Sequence, residues 1–125
     1  MKEQLVKARR GQGLFKINVR RTEKACRVTG VTDPRNLRAS HIKPWKDCSD
    51  QERLSGYNGL MLAPHVDHLF DRGFISFSDD GDLIIAASLD RTILASWGIP
   101  EVLNVGSLSK QAQFLAYHRA FVLKK

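Results

Sequence analysis

Short apolar runs separated by turn-forming residues are the feature that most limits what this chain can fold into. Residues 60–62 form one such run, and residues 74–77 and 83–85 form two more on either side of the turn step Asp80-Gly81. An Asp-Gly step between two apolar runs is a strong signal for a β-hairpin. The chain lacks the regular alternation of strands and helices that a doubly wound parallel sheet requires. The order of elements therefore predicts an α+β fold.

The clearest helix signal follows the run at 60–62. Pro64 favours a helix start because its missing N–H would be unpaired at that position anyway. Val66, Leu69 and Phe70 then recur at helical spacing, and Gly73 ends the segment. We therefore expect a helix that begins at Pro64 and ends before Gly73.

The first half of the chain contains three weaker signals. Residues 2–10 predict a short basic helix, which Gly11 and Gly13 break, and this segment is interpreted as an arm. Residues 37–42 predict a short strand. Residues 46–57 are polar and are punctuated by Ser49, Asp50, Ser55 and Gly56, which favours a loop.

The second half predicts two more helices, over 89–97 and 110–123. The second of these is amphipathic, so we expect it to pack on the core. Its apolar stripe consists of Phe114, Leu115, His118, Phe121 and Val122.

Basic residues are concentrated in the first part of the chain. Residues 1–46 hold 13 basic and 3 acidic residues, a net charge of +10, whereas residues 47–125 hold 7 basic and 10 acidic residues, a net charge of −3. This asymmetry is typical of a protein in which one face follows phosphates while another carries carboxylates or metal ligands. A merely soluble basic surface is the alternative, and composition leaves both open.

Length and composition narrow the class of protein. A chain of 125 residues favours a single domain, and 42% hydrophobic with 26% charged residues excludes a wholly disordered chain. The absence of a long apolar run and of a signal-peptide pattern predicts a cytoplasmic protein. Cys26 and Cys48 are too few for a disulfide scaffold and too far apart for a zinc knuckle, so we expect reduced thiols.

One stretch near the middle of the chain contains the His and Asp side chains that are candidates for a functional site. His41 follows a predicted strand, and because imidazole titrates near neutral pH it is the best candidate for a general base. A hydrogen-bonded structural histidine is the alternative. On the predicted helix, His65 and His68 are three residues apart and share one face, whereas Asp67 and Asp71 are four apart and share another.

Four motifs in and before this stretch resemble those of HNH endonucleases, in particular the subgroup found in restriction-type nucleases. The motifs are Cys26-Arg-Val-Thr29-Gly30, Ser40-His41-Ile-Lys-Pro-Trp45, Asn58-Gly59-Leu60 and His65-Val-Asp67-His68-Leu-Phe-Asp71-Arg-Gly73. The resemblance, which extends over roughly residues 9–123, implies a ββα-metal (His-Me finger) nuclease core with an additional β-hairpin and flanking N- and C-terminal helices. We expect one HNH nuclease domain over 1–125, with an arm at 1–22, the metal-binding core at 26–78 and the hairpin completion with C-terminal helices at 79–125.

The resemblance also implies roles for individual residues. His41 corresponds to the general base, Asn58 to the residue that orients its ring, and His65 to the last histidine of the family motif, although Asn58-Gly59 is also an ordinary turn. The residues that the resemblance assigns to metal binding are His65, Asp67, His68 and Ser40. His68 is an extra imidazole, and it either binds the metal or is a partly exposed helix residue near DNA. Many relatives carry Asp or His in place of Ser40, and a neutral hydroxyl favours magnesium or manganese over zinc.

These motifs imply a divalent-metal-dependent endonuclease that cuts double-stranded DNA in restriction or defence. A non-catalytic basic DNA-binding module with the same fold is the alternative, and a fused or partner DNA-reading domain and a homodimer stay open. Phe15 and Trp45 either stack on bases or pack in the protein. The basic residues expected to contact DNA are Arg9, Arg10, Arg20, Arg21, Arg38, Lys43 and Lys46.

Overall fold

One long helix, several short helices and two-stranded antiparallel sheets make up the fold, which confirms the predicted α+β class. The computed structural model describes the backbone of residues 2–125 and the side chains of residues 6–125. In chain order the helices and strands are α1 (Lys2–Thr22), β1 (Arg38–His41), α2 (Asp50–Leu54), β2 (Gly59–Leu62), α3 (Pro64–Asp71), β3 (Ile75–Phe77), β4 (Leu83–Ile85), α4 (Thr92–Ser96) and α5 (Ala112–Tyr117). Single turns of 3-10 helix precede or connect several of them.

The pair β1–β2 and helix α3 form the centre of the molecule. The two strands are antiparallel, and their register puts Ser40 opposite Leu60 and His41 opposite Gly59. All residues of β2 are buried, and α3 turns Val66 and its other apolar residues into the same core. As predicted, α3 begins at Pro64. Strand β1 and helix α3 therefore lie next to each other.

Helix α1 runs through both glycines that were expected to break it, so the prediction of a short helix over 2–10 was wrong. Each glycine costs a helix about 1 kcal/mol relative to alanine, but tertiary packing of an apolar face outweighs such a cost. Phe15 and Val19 are buried in the core. At Gly11 the ring of Trp45 lies so close that a Cβ atom would be 2.8 Å from it. The C-terminal half of α1 is thus part of the packed domain.

The segment 46–57 is not the loop that its polar composition predicted. Helix α2 lies within it and begins after Ser49, which caps the helix by accepting a hydrogen bond from the backbone N–H of Glu52. The Glu52 side chain accepts one from the N–H of Ser49 in return, which completes a capping box. The Ser-x-x-Glu pattern was visible in the sequence and marks the start of a helix.

The predicted hairpin is present. β3 pairs with β4 in antiparallel register, with Ser76 opposite Ile84, and Gly81 takes a left-handed φ of 93° in the connecting turn. Helix α4 is shorter than the predicted helix over 89–97. It begins only after Asp90, whose carboxylate accepts a hydrogen bond from the Thr92 N–H.

The C-terminal helix also differs from the prediction over 110–123. α5 ends at Tyr117, and residues His118–Val122 form a wider π-turn in which the Leu123 N–H donates to the His118 carbonyl at 2.8 Å. This turn changes the angular position of the residues that follow. Phe121 is consequently 74% exposed, so its assignment to the apolar stripe was wrong, while His118 is buried.

None of the helices in the described part of the chain has the length and apolar character that a membrane span needs.

Candidate active site

His41 lies at the end of β1 and is held from three sides. The Phe15 ring stacks on its imidazole with 3.4 Å between ring centroids and 11° between the planes. Trp45 meets the ring edge-on, with 5.5 Å between centroids. The third contact is a hydrogen bond of 3.0 Å between His41 Nε2 and the backbone carbonyl of Arg53 in α2. The imidazole is half-buried as a result.

These contacts determine the protonation state of His41. Burial disfavours the charged ring and lowers the pKa of His41 below its usual value, and the hydrogen bond to the Arg53 carbonyl only partly opposes this effect. A carbonyl oxygen accepts hydrogen bonds and does not donate them, so the neutral ring carries its proton on Nε2. Nδ1 then keeps its lone pair and is the basic atom of the ring.

Asn58 is fully buried and connects the two backbone segments that surround His41. Its Oδ1 accepts a hydrogen bond of 2.8 Å from the Lys43 N–H, two residues after the histidine. Its Nδ2 donates to the carbonyl of Glu52 at 3.1 Å, next to the carbonyl that holds the imidazole. Asn58 therefore acts on the backbone around His41 rather than on the ring itself.

Ser40 and Asp67 lie together on the side of β1 that faces α3. The Ser40 hydroxyl is buried and has no hydrogen-bond partner of acceptable geometry in the described part of the chain. It is nevertheless close enough to Asp67 to lower the pKa of that carboxyl, although burial has the larger effect and the net shift is upward. An orphaned hydroxyl beside a carboxylate in a desolvated position is a pair of hard oxygen ligands, which fits a small divalent cation.

His65 and His68 lie on a different side of α3. Both rings meet the indole of Trp97 edge-on, with centroid distances of 5.9 Å and 6.2 Å respectively. Within the side chains described for residues 6–125, no three His, Cys, Asp or Glu residues form a group that could hold a metal ion. His65, Asp67 and His68, the three His and Asp residues of the set predicted from the sequence, therefore do not form such a group. The helical spacing explains the separation, because Asp67 faces Ser40 while the two imidazoles share the face against Trp97.

The basic residues expected to contact DNA fall into two groups. Arg9, Arg10, Arg20 and Arg21, called the α1 arginines below, are exposed along α1, and Arg38 and Lys46 are exposed too. None of these six forms an ion pair with a side chain that the structure describes. Lys43 differs, because it pairs with Glu52 at 3.0 Å and its ammonium group lies over the Tyr117 ring at 4.9 Å. Lys43 is thus already engaged within the protein.

Sequence reasoning missed Arg53 and left Phe15 undecided. Phe15 is 2% exposed, which excludes stacking on bases and leaves packing in the protein. Its place in the site became visible only with α1 continuing beyond Gly13. Arg53 contacts His41 through its backbone carbonyl, which every residue has, so the sequence could not single it out. Its guanidinium stacks on Trp45 at 4.9 Å.

Comparison with protein families gives the context for this geometry. Residues 26–78 match the model of a family described as HNH endonuclease. The resemblance inferred from the motifs is thereby confirmed at the level of the family, while the restriction-type subgroup stays a prediction. No curated protein matches the chain.

The HNH match covers β1, α2, β2, α3 and β3, and therefore His41, Asn58, Ser40 and Asp67. Helix α1 with Phe15 lies outside it. HNH endonucleases act on DNA and generally use a divalent metal ion. The family thus supports a nuclease function for a domain whose candidate base is a neutral, oriented histidine.

Proposed function

We propose that this chain is a divalent-metal-dependent endonuclease that hydrolyses phosphodiester bonds in double-stranded DNA, with His41 as the general base. The observation that carries the proposal is the hydrogen bond from His41 Nε2 to the Arg53 carbonyl. It keeps the proton of the neutral ring on Nε2, so that Nδ1 is available to accept a proton from water.

The reaction follows from this arrangement. Nδ1 takes one proton from the attacking water, and the resulting hydroxide oxygen forms a bond to phosphorus while the bond to the leaving oxygen breaks. The leaving oxygen takes a proton from a solvent water, and the imidazolium returns its own proton to solvent. Burial favours the neutral ring, so His41 is ready to accept a proton at neutral pH.

The oxygen ligands that would hold a metal ion are Ser40 Oγ and the Asp67 carboxylate. These residues would hold a divalent ion, which would supply positive charge to the phosphate oxygens and to the leaving alkoxide. Two protein oxygens leave most coordination positions to water and to the substrate. That ligand set suits magnesium or manganese, which keep several waters when bound to proteins.

Exposed cations support DNA as the substrate. The α1 arginines extend over about 18 Å, since a helix rises about 1.5 Å per residue. Such a row can follow several phosphates of one strand, and phosphate contacts supply most of the sequence-independent affinity for DNA. We expect Arg38 and Lys46 to add contacts close to β1 and α2. Lys43 contributes less to binding than the sequence predicted because it pairs with Glu52.

Plasmid cleavage tests the proposal. With magnesium or manganese the wild-type protein should nick or linearise a plasmid, and a chelator should stop the reaction. His41→Ala should lower turnover about a hundredfold or more, the usual size of a general-base contribution, while binding of DNA stays nearly unchanged. Circular dichroism of the variant serves as the folding control. Cleavage by His41→Ala at the wild-type rate would contradict the assignment of the base.

A second candidate function is a DNA-binding module without cleavage. Two observations favour it: the neutral Ser40 stands in place of a charged ligand, and the described part of the chain has no group of three His, Cys, Asp or Glu residues that could hold a metal ion. Binding without metal-dependent cleavage in the same assay would establish this alternative. A role in restriction or defence, a DNA-reading partner domain and a homodimer stay predictions from the sequence.

A further inference from the structure

Helix α1 lies outside the residues that match the HNH family, yet it contributes a side chain to the site. Resting on the proposed function, we propose that Phe15 is a positioning residue for His41, whose ring holds the imidazole plane so that Nδ1 stays directed at the attacking water. Phe15 acts through His41 and touches no substrate. The nuclease site then extends beyond the ββα core into the N-terminal helix.

The contact between the two rings is close and nearly parallel. Their centroids are 3.4 Å apart, and the planes differ by 11°. Phe15 is 2% exposed, so packing of α1 on the core determines where its ring lies. The plane of Phe15 therefore sets the plane of the imidazole.

A second constraint explains why the hydrogen bond alone does not orient the base. The bond from Nε2 to the Arg53 carbonyl acts on one atom at the edge of the His41 ring and makes no contact with the faces of the ring. Phe15 covers one face, and Trp45 meets the ring at 81° to its plane. Together the three contacts restrict tilting of the ring. Nδ1 is left with one direction, as reaction by a positioned base requires.

Gly59 provides the space for this stack. It lies opposite His41 in the β1–β2 register and has an extended φ of −159°, which any residue can adopt. A Cβ atom there would lie 2.6 Å from Phe15 Cζ and 2.5 Å from Val19 Cγ2. Carbon atoms that are not bonded to each other do not approach so closely. A side chain at position 59 would push Phe15 away from the imidazole.

Steady-state kinetics on a defined duplex at saturating magnesium test the inference. Phe15→Leu keeps an apolar residue in the core and removes the ring, and Gly59→Ala displaces the ring without changing it. Both should lower kcat about tenfold or more while KM for DNA changes less than about twofold, because misdirecting a catalytic group by about 1 Å costs up to a hundredfold in rate. The control Val19→Ala disturbs the same buried face of α1 and should keep kcat within about twofold of wild type.

NMR of the imidazole separates positioning from simple loss of stability. At a fixed pH of about 8, where an ordinary imidazole is neutral, the carbon-bound protons of His41 should be shifted upfield by the Phe15 ring current in wild type and in Val19→Ala. The shift should disappear in Phe15→Leu, and the ring nitrogens should then report a mixture of tautomers. Unchanged His41 signals in Phe15→Leu, or equal kcat values for Phe15→Leu and Val19→Ala, would overturn the inference. If wild type does not cleave DNA, the proposed function is wrong, and the NMR comparison alone decides the role of Phe15.

Discussion

Acidification should destabilise this protein through His118, which is buried on the π-turn after α5. Its Nδ1 lies 2.8 Å from Ser76 Oγ, and its Nε2 lies 2.9 Å from the backbone carbonyl of Phe70. The imidazole also stacks on the side-chain ring of Phe70. Burial lowers the pKa of His118 from 6.5 to about 4, against the opposing effects of the Phe70 carbonyl and of Asp71. The folded protein therefore binds this proton less readily than the unfolded chain does.

This difference in proton binding determines the sign and the size of the change in the free energy of unfolding with pH. Between pH 6.5 and pH 4 the unfolded chain binds more protons, so the free energy of unfolding falls as the pH falls. Each unit of pKa difference is worth about 1.4 kcal/mol, which makes the full loss about 3 kcal/mol below pH 4 and about 2 kcal/mol between pH 7 and pH 5. Since His118 is 1% exposed, solvent screening reduces this value little.

Urea denaturation of wild type and His118→Gln at several pH values between 7 and 5 measures the effect. Glutamine keeps a group that can donate to the Phe70 carbonyl but does not titrate. The variant should be less stable at pH 7 and should lose about 2 kcal/mol less than wild type on going to pH 5. His41 and the carboxylates titrate in both proteins, so the difference between them isolates His118. Equal losses in the two proteins would refute the reasoning.

The remaining predictions concern metal and DNA. Asp67→Ala should raise the magnesium concentration needed for half-maximal cleavage, with partial rescue by excess metal, whereas His68→Ala should change it little. The reverse order in a metal titration would mean that the opposite face of α3 holds the ion. Ser40→Asp should be tolerated and should lower the metal requirement, since a carboxylate is the stronger ligand. Charge reversal of the α1 arginines should weaken DNA binding and reduce the salt slope of the logarithm of affinity by about 0.9 per lost contact; an unchanged slope would exclude α1 from the DNA interface.

Local patterns predicted the strands and helices whose signals are short and unambiguous. The Asp80-Gly81 step predicted the hairpin, and Pro64 with Gly73 marked the limits of α3. Helix spacing on α3 also predicted which side chains share a face. These features depend on residues close to one another in sequence, so the sequence suffices to find them.

The errors arose where distant residues decide the structure. Helix α1 continues through Gly11 because Phe15 and Val19 pack into a core formed by distant segments of the chain. Phe121 is exposed because a π-turn changes the angular position of the residues after His118. Phe15 reaches His41 only because α1 continues through both glycines. Local propensity cannot anticipate such contacts, since each joins segments that are far apart in the chain.

The carbonyl that holds His41 has a consequence for how mutational data on this protein should be interpreted. Every amino acid at position 53 has the same carbonyl, so substitution there removes a guanidinium and leaves the group that holds the His41 ring. An alanine scan would report what Arg53 contributes through its stacking on Trp45 and through its hydrogen bond of 3.0 Å to the Trp45 carbonyl. Only changes that move the backbone of α2, such as loss of the Ser49 cap, would reveal the orienting role. A tolerant position in such a scan can therefore still carry a contact on which catalysis depends.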